Sequence, residues 1–388
     1  MAEELTSQRI SEILGAISLN AKHHFFMKWV EKVAGDDCLC YDITSISSYA
    51  EANKYIKYGY NRDREKLPQL NLAMVFGQDS RLPVYYQRLP GDITDVTTVH
   101  NLLKNCKALE AKKLCFVMDR GFYSQKNVDD LFKANHKFIV SVLLNNKWVL
   151  EEIDKIRDQI HSLYGYRRID DEVLYTQTRH YAWGELNKRS YIHFYYNEPK
   201  RAEDMERFHT RLIDCYQELT TGNLVTTHQS DYDKFFTIKT TPKHGTKVSY
   251  NIHVIKQYEK KYVGFQVYLS NKIKESLEAL QIYRDKDVVE KGFDDFKNAL
   301  DIKRLRMHSI EAVDGRLFVQ FIALIYTSAL RNELRKSKLI EKYTVQELLD
   351  EMKTITRITY PKKNQYVLTE ISKTQRELLK TFNIPMPT

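Results

Sequence analysis

Apolar residues recur at helical spacing near the start of the chain, where Ile10, Ile13, Leu14 and Ile17 are followed by Phe25, Phe26, Trp29 and Val30. One or two short amphipathic helices are therefore expected between Ser7 and Gly35. The pattern then changes to a β-rich run, Cys38 to Ser45, with Asp42 inside it. Strand side chains alternate, so Asp42 shares a face with Cys40 and Thr44. Two further strand-like runs, Gln69 to Gly77 and Leu82 to Leu89, are joined by Gln78-Asp79-Ser80. Thr97 to Leu109 reads as a helix, Lys113 to Met118 as a short strand ending in Asp119-Arg120-Gly121, Gln125 to Asn135 as a helix and Lys137 to Leu144 as a strand. Successive strands followed by alternating helix and strand form an α/β pattern with one mixed sheet. In such sheets ligands sit at the carboxyl ends of strands, and Asp119 stands at such an end.

From about Asn145 to Lys261 the texture differs. Strand-like segments fall near Leu174 to Ala182, Ser190 to Tyr196, Phe235 to Thr240 and Val248 to Val254, with a helix near Lys200 to Leu219, which describes a β-rich inserted subdomain. Tyr262 to Ser270 alternates Val263, Phe265, Val267 and Leu269 as another strand. Tyr283 to Lys297 then reads as one helix. At about 100° per residue, Ile282, Val289, Phe293, Phe296 and Leu300 form an apolar stripe, and Tyr283, Lys286, Glu290 and Lys297 form a polar stripe beside it. Gly315 to about Lys336 is a strongly apolar helix, and capping boxes at Thr344 with Glu347 and Ser372 with Gln375 start two more. The expected organisation is a short helical segment (1–35), a first core part (36–144), the β-rich insertion (145–261) and a second core part with C-terminal helices (262–388).

Composition narrows the class. Of 388 residues, 43% are hydrophobic and 29% charged, as in a globular chain. The longest nearly apolar run, Leu317 to Tyr326, is interrupted by Gln320 and is shorter than a membrane span of roughly 20 residues. Glu3, Glu4, Arg9 and Glu12 leave no room for a secretory signal, so a cytoplasmic location without membrane contact is expected. The 5 cysteines are an odd number without paired CxxC elements, which fits reduced thiols and gives no zinc-site spacing. A net charge of +9 favours a polyanionic partner through phosphate contacts and counterion release. No HExxH spacing and no Gly-rich phosphate loop before a helix is present, which argues against zinc proteases and nucleotide cofactors.

Asp42, Asp119 and Glu290 are the candidate chemistry. Magnesium prefers carboxylate oxygens and keeps part of its water shell, so a few acids directed into one cleft can hold one or two ions for phosphodiester chemistry. Each acid also has a plainer role open to it. Asp42 could accept local hydrogen bonds, Asp119 could form a turn with Gly121, and Glu290 could pair Lys286 or Lys297 on a solvated face. Tyr58, Tyr60, Arg62, Arg64 and Lys66, together with Lys303, Arg304, Arg306 and His308, are basic stretches suited either to a DNA path or to exposed loops. Trp148 and Trp183 fit core packing better than base stacking.

Tyr41-Asp42-Ile43-Thr44-Ser45, Met118-Asp119-Arg120-Gly121-Phe122 and Tyr283 to Lys297 resemble segments of bacterial insertion-sequence transposases of the DDE type. The closest resemblance is to the group whose third acid lies in a Tyr-x2-Arg-x3-Glu-x6-Lys signature, which Tyr283, Glu290 and Lys297 match in spacing. The resemblance implies a ribonuclease-H-like mixed-sheet core interrupted by a mostly β insertion before the Glu-bearing helix. It implies that Asp42, Asp119 and Glu290 are catalytic and hold Mg²⁺, or Mn²⁺ in its place, as two ions. Tyr283, Lys286 and Lys297, with Arg120 and Arg284, would contact DNA. The implied activity is cleavage at transposon ends and strand transfer by 3′-hydroxyl attack, on double-stranded DNA, by a dimer bound to two ends and associated with the nucleoid. Lys286 stands where the signature has arginine and lacks its bidentate fork, with Arg284 close by. Only 41 residues precede Asp42, where relatives commonly carry an end-recognition domain. A shortened, catalytically silent DNA-binding remnant and a metal-dependent nuclease on the same core therefore remain as alternatives.

Overall fold

Thr6 and Ser18 accept from the N–H groups of Arg9 and Ala21 and so cap the first two helices, α1 (Ser7–Gly15) and α2 (Leu19–Val33). The computed structural model describes residues 6–35, 37–49, 54–111, 113–169, 171–185, 187–241, 245–300, 304–305, 309–360 and 365–387. After α2 come β1 (Cys38–Ser48), β2 (Gln69–Gly77), β3 (Pro83–Pro90) and α3 (Asp95–Ala108), close to the bounds expected from the pattern. β4 (Cys115–Met118), α4 (Gln125–Lys133) and β5 (Lys137–Val142) follow, so the chain runs strand, strand, strand, helix, strand, helix, strand as expected of an α/β core. The chain divides into two compact units, Met1–Cys115 with Asp285–Thr388, and Phe116–Arg284.

In the first unit β2 pairs antiparallel with β1 from Leu39↔Gly77 to Ser47↔Gln69, and β3 pairs antiparallel with β2. β12 (Arg304–Leu305) adds to β1 in parallel, which makes this sheet mixed. All of β2 is buried: Leu72 to Phe76 form an apolar run that suits a strand covered on both faces, and the buried Gln69 and Asn71 are hydrogen-bonded, to the Gly91 carbonyl among others. α10 (Asp287–Asp294) packs on β1 and β2. The longest helix, α11 (Ile310–Lys336), sets Phe321 against Phe26 and Tyr86, with ring centroids 5.4 and 5.1 Å apart. A Cβ at Gly315 would lie 1.9 Å from the Leu14 carbonyl oxygen, so the absence of a side chain lets α11 touch α1. α11 is long and apolar enough to cross a membrane by length and composition. Its contacts are those of a core helix: Arg88 pairs with Asp314, and Asn332 donates to the Ser80 carbonyl at 2.8 Å. α12 (Val345–Lys353), the hairpin of β13 (Arg357–Tyr360) with β14 (Gln365–Leu368), and α13 (Lys373–Thr381) complete this unit. Both expected capping boxes are present.

The second unit holds a sheet in the order β4-β5-β11-β8-β7-β6, with β6 (Tyr166–Ile169), β7 (Glu172–Trp183), β8 (Lys188–Tyr196) and β11 (Phe265–Ser270). β11 runs antiparallel to both β5 and β8. Around these strands lie α5 (Lys147–Asp154), α6 (Glu198–Thr221), α7 (Gln229–Phe235), the hairpin of β9 (Phe236–Thr241) with β10 (Gly245–Tyr250), α8 (Ile252–Lys261) and α9 (Ser276–Arg284). The stretch between β5 and β11 thus carries helices as well as strands. One expected strand, Val248 to Val254, is divided. Asn251 accepts from the Val254 N–H and starts α8, so the apolar residues after it turn helical. Leu212, Cys215, Tyr232, Phe235, Phe236, Val248 and Ile255 form a separate core beneath α6 to α8. Trp183 is buried with its indole N–H 2.7 Å from Asp129, and Trp148 packs edge-on against it at 5.6 Å, so both serve packing.

Candidate functional site

Every residue of β1 is buried except Asp42. An acid at that position needs an outlet from the core, and Asp42 keeps one, with a side chain 21% exposed. Its Oδ1 accepts from the Ile43 N–H at 2.8 Å. Its Oδ2 lies 3.9 Å from Nζ of Lys286, whose side chain is 8% exposed. Lys286 in turn donates to Oε1 of Glu290 at 3.1 Å, and Glu290 is 61% exposed. One ammonium therefore reaches the carboxylates of β1 and of the first turn of α10, by hydrogen bond to Glu290 and by Coulomb attraction alone to Asp42. Cys40, on the same face of β1, feels this charge too. Burial nevertheless pushes its thiol well up, so it stays protonated and adds no charge. The pairing of Glu290 with Lys286 expected of a plain charged helix is thus present, but with the lysine buried rather than solvated.

α10 approaches β1 and β2 through Gly292, where a Cβ would stand 2.1 Å from Cζ of Phe76. Beyond α10 the helix widens into a π-turn, Asp295–Ala299, an uncommon geometry that recurs at functional positions. Arg331 of α11 grips Asp295 there, with Nη2 2.6 Å from Oδ1. Lys297, itself buried, donates to both carboxylate oxygens of Asp63 at 2.9 and 2.7 Å. Asp63 belongs to the basic aromatic loop, which is also held to β1 by bonds from the Arg62 N–H to Ser45 Oγ at 3.3 Å and from Asn61 to Ser47 at 3.1 Å. Tyr58, Tyr60, Arg64 and Lys66 of that loop are exposed, whereas Arg62 pairs with Asp95. Arg304 pairs with Glu65 at 2.8 Å; Lys303, Arg306 and His308 lie outside the described residues.

In the second unit Asp119 follows the end of β4 and caps a short 3-10 turn, Arg120–Phe122. Its Oδ1 accepts from the Arg120 N–H and from the Tyr283 hydroxyl, each at 2.7 Å. Tyr283 stacks on Tyr268 with centroids 4.1 Å apart. Burial, and then the negative charge of Asp119, push the Tyr283 phenol well up, so it stays a hydrogen-bond donor. Arg284 pairs with Glu172, and Arg120 is exposed.

Tyr283 to Lys297 is therefore not the single helix that its periodicity predicts. α9 ends at Arg284, α10 begins at Asp287, and Lys297 lies in the π-turn. The cause is tertiary. Arg284 is drawn to Glu172 and Asp285 accepts from Gln78 at 3.1 Å, while the N–H groups of Val288 and Val289 bond three residues back. The polar stripe is consequently distributed over three elements.

The sequence profile of the transposase DDE domain matches residues 34–326, a span that includes Asp42, Asp119 and Glu290. The chain belongs to the transposase DDE domain family. No curated protein matches it in sequence. Similarity to the piggyBac transposase in a cryo-EM structure of its synaptic complex with hairpin DNA has a TM-score of 0.44 at 10% identity, covering 84% of this chain and 54% of that one. The DDE-family chain thus spans about half the length of that relative. Among the residues around its acids, Asp63, Glu172 and Gly292 carry no sequence signal. Asp63 is one acid in a basic loop, Glu172 opens a strand and Gly292 is an ordinary helix position, so only their tertiary partners give them a part.

Proposed function

We propose that the protein is a DNA transposase of the bacterial insertion-sequence type, in the group with the Tyr-Arg-Glu-Lys signature. Family membership supports transposition in general, and one observation carries the finer reading. In a strand otherwise wholly buried, Asp42 alone stays partly exposed, and the ammonium beside it is hydrogen-bonded to Glu290.

Asp42, Asp119 and Glu290 are the proposed metal ligands. Oxygen donors on a partly exposed strand position and an exposed helical turn suit a hard cation, and the field of Asp42 and Glu290 already holds one ammonium. When bound, Mg²⁺, or Mn²⁺ in its place, as two ions, would polarise the scissile phosphate and stabilise the developing charge on its oxygens. The chain's own groups do the rest. Tyr283 orients Asp119 through its hydroxyl, Lys286 places a fixed positive charge beside Asp42 and Glu290, and Lys297 holds the loop that exposes Tyr58, Tyr60, Arg64 and Lys66 to DNA. Arg120, which is exposed, supplies a further phosphate contact, and Arg284 supplies another on leaving its partner Glu172. In this reading hydrolysis at the ends of the element frees a 3′-hydroxyl, and that hydroxyl attacks a target phosphodiester, expelling the other ester oxygen with no covalent protein intermediate. Two ends are brought together by a dimer acting at the nucleoid.

Lys286 also favours a second reading, a DNA-binding chain that does not cut, because its ammonium is already engaged with Glu290. Plasmid nicking separates the two. Asp42→Asn, Asp119→Asn and Glu290→Gln should each abolish metal-dependent nicking of end-bearing DNA while leaving the thermal transition in place. Full activity in any one of them sinks the assignment, and DNA binding without nicking by the unaltered protein selects the second reading. Equal cutting of DNA with and without terminal repeats points instead to a nuclease.

A further inference from the structure

In the second unit, three segments far apart in sequence meet at one end of the sheet. β5 begins at Lys137, β8 begins at Lys188 and β11 ends at Ser270; because β11 is antiparallel to both neighbours, these ends coincide, as the pairs Ser270↔Ile139 and Ser270↔Tyr191 record. The residues there surround a recess of about 340 Å³, room for about ten waters, to which Lys137, Lys188, Arg189, Lys272 and Lys274 contribute. No carboxylate is among its described lining residues. All five cationic side chains are exposed, and the floor is built by buried Tyr191 and His136 and by Asn271, whose Oδ1 accepts from the Phe138 N–H at 2.9 Å.

We infer that this recess is a second DNA-backbone site, which grips duplex phosphates beyond Asp119 of the same unit. An enclosed site for a small anion would present buried donors to it. Long exposed cations around an open recess suit a charged strand that passes over them. Cations converging on one recess raise the local potential and focus polyanions. The site lies three residues along β11 from Tyr268, on which Tyr283 of the Asp119 hydrogen bond stacks, about 10 Å at strand rise. That distance corresponds to about three base pairs of duplex, so one DNA molecule can engage both places. The identity of the polyanion rests on the proposed function; the convergence of charge does not.

The test is fluorescence anisotropy of a labelled duplex across a salt series. The triple variant Lys188→Gln/Arg189→Gln/Lys272→Gln should bind at least about tenfold more weakly than the unaltered protein. Its log K against log[salt] should be shallower by roughly 2–3, close to 0.9 for each phosphate that the variant no longer neutralises. A charge-matched control, Lys32→Gln/Lys104→Gln/Lys107→Gln, alters exposed lysines of the first unit and should leave most of the slope intact. Unchanged affinity and slope in the recess variant, or an equal loss in the control, overturns the inference while leaving the transposase reading in place. If the unaltered protein binds no duplex at low salt, both fall together. Single Lys188→Glu replaces the triple variant if circular dichroism shows the latter unfolded; it should weaken binding and make the slope shallower by about 1, and an unchanged slope overturns the inference.

Discussion

At the scale of single residues, Lys286 decides the character of the site. A buried ammonium within 3.9 Å of Asp42 and 3.1 Å of Glu290 competes for the negative field that would hold a divalent ion. Unit charges about 4 Å apart interact by about 1 kcal/mol in water and about 4 kcal/mol near a protein surface, and more for a divalent ion. Lys286→Met should therefore tighten Mn²⁺ binding by roughly tenfold in calorimetric titration while weakening DNA binding. Unchanged or weaker Mn²⁺ affinity would show that the ammonium does not oppose the metal. Arginine, which the signature prefers here, would spread the charge over a planar fork, so the two residues are not equivalent. His193 is a second decisive residue. It is fully buried on β8 with Nδ1 2.8 Å from Thr178 Oγ1, and burial pushes it down to about 4. A histidine depressed in this way contributes stability that is fully present above its unfolded value of about 6.5 and is lost as pH falls through about 4. The expected acid loss is about 3 kcal/mol over that window. Urea unfolding at intermediate pH values should show a shallower decline for His193→Leu than for the unaltered protein, and parallel declines would count against the assignment.

At the scale of elements, the position of α10 rests on a missing side chain. Gly292 lets the helix lie against the Phe76 ring, where a Cβ would approach within 2.1 Å of Cζ. Gly292→Ala has to move either the ring or the helix, at a cost of about 1–3 kcal/mol, and moving the helix shifts Glu290 relative to Asp42. Denaturant unfolding should register the loss, and Phe76→Leu in the same protein should recover most of it, because the two positions are coupled by direct contact. An additive double variant would mean that the contact does not set the cost. The break between α9 and α10 follows the same logic. Periodicity alone extends a helix through Tyr283 to Lys297, but propensity is a weak term beside specific partners, and the partners of Arg284 and Asp285, Glu172 and Gln78, lie outside these helices. The π-turn at Asp295–Ala299 is likewise held from outside, by Arg331 and by the Lys297 bond to Asp63.

At the scale of the whole molecule, the chain is two compact units, the first of them built from both ends of the sequence. Separate cores, such as Leu334 with Val345, Leu348 and Leu378 in the first unit and Leu212 with Tyr232 and Phe235 in the second, give each its own source of cooperativity. Calorimetry should accordingly give an unfolding enthalpy larger than the van't Hoff value; equality of the two would indicate one cooperative transition. The net charge of +9 is likewise a property of the whole chain. It predicts affinity for polyanions but does not say where they bind, and the concentration of cations at one end of the second unit's sheet is visible only after β5, β8 and β11 are aligned.

The sequence by itself determined the local structure and the family. Period-2 runs placed β1, β2, β3 and β5, capping residues placed α12 and α13, and the spacing of Tyr283, Glu290 and Lys297 with the segments around Asp42 and Asp119 pointed to DDE transposases. These signals are local, because alternation and caps depend on neighbours within a few residues. Tertiary structure alone decided that Lys297 is spoken for by Asp63 and Arg284 by Glu172, and that Lys286, paired with Glu290 as the helical spacing allows, is buried beside Asp42. Lys297 and Asp63 lie 234 positions apart, and no periodicity encodes a partner at that distance.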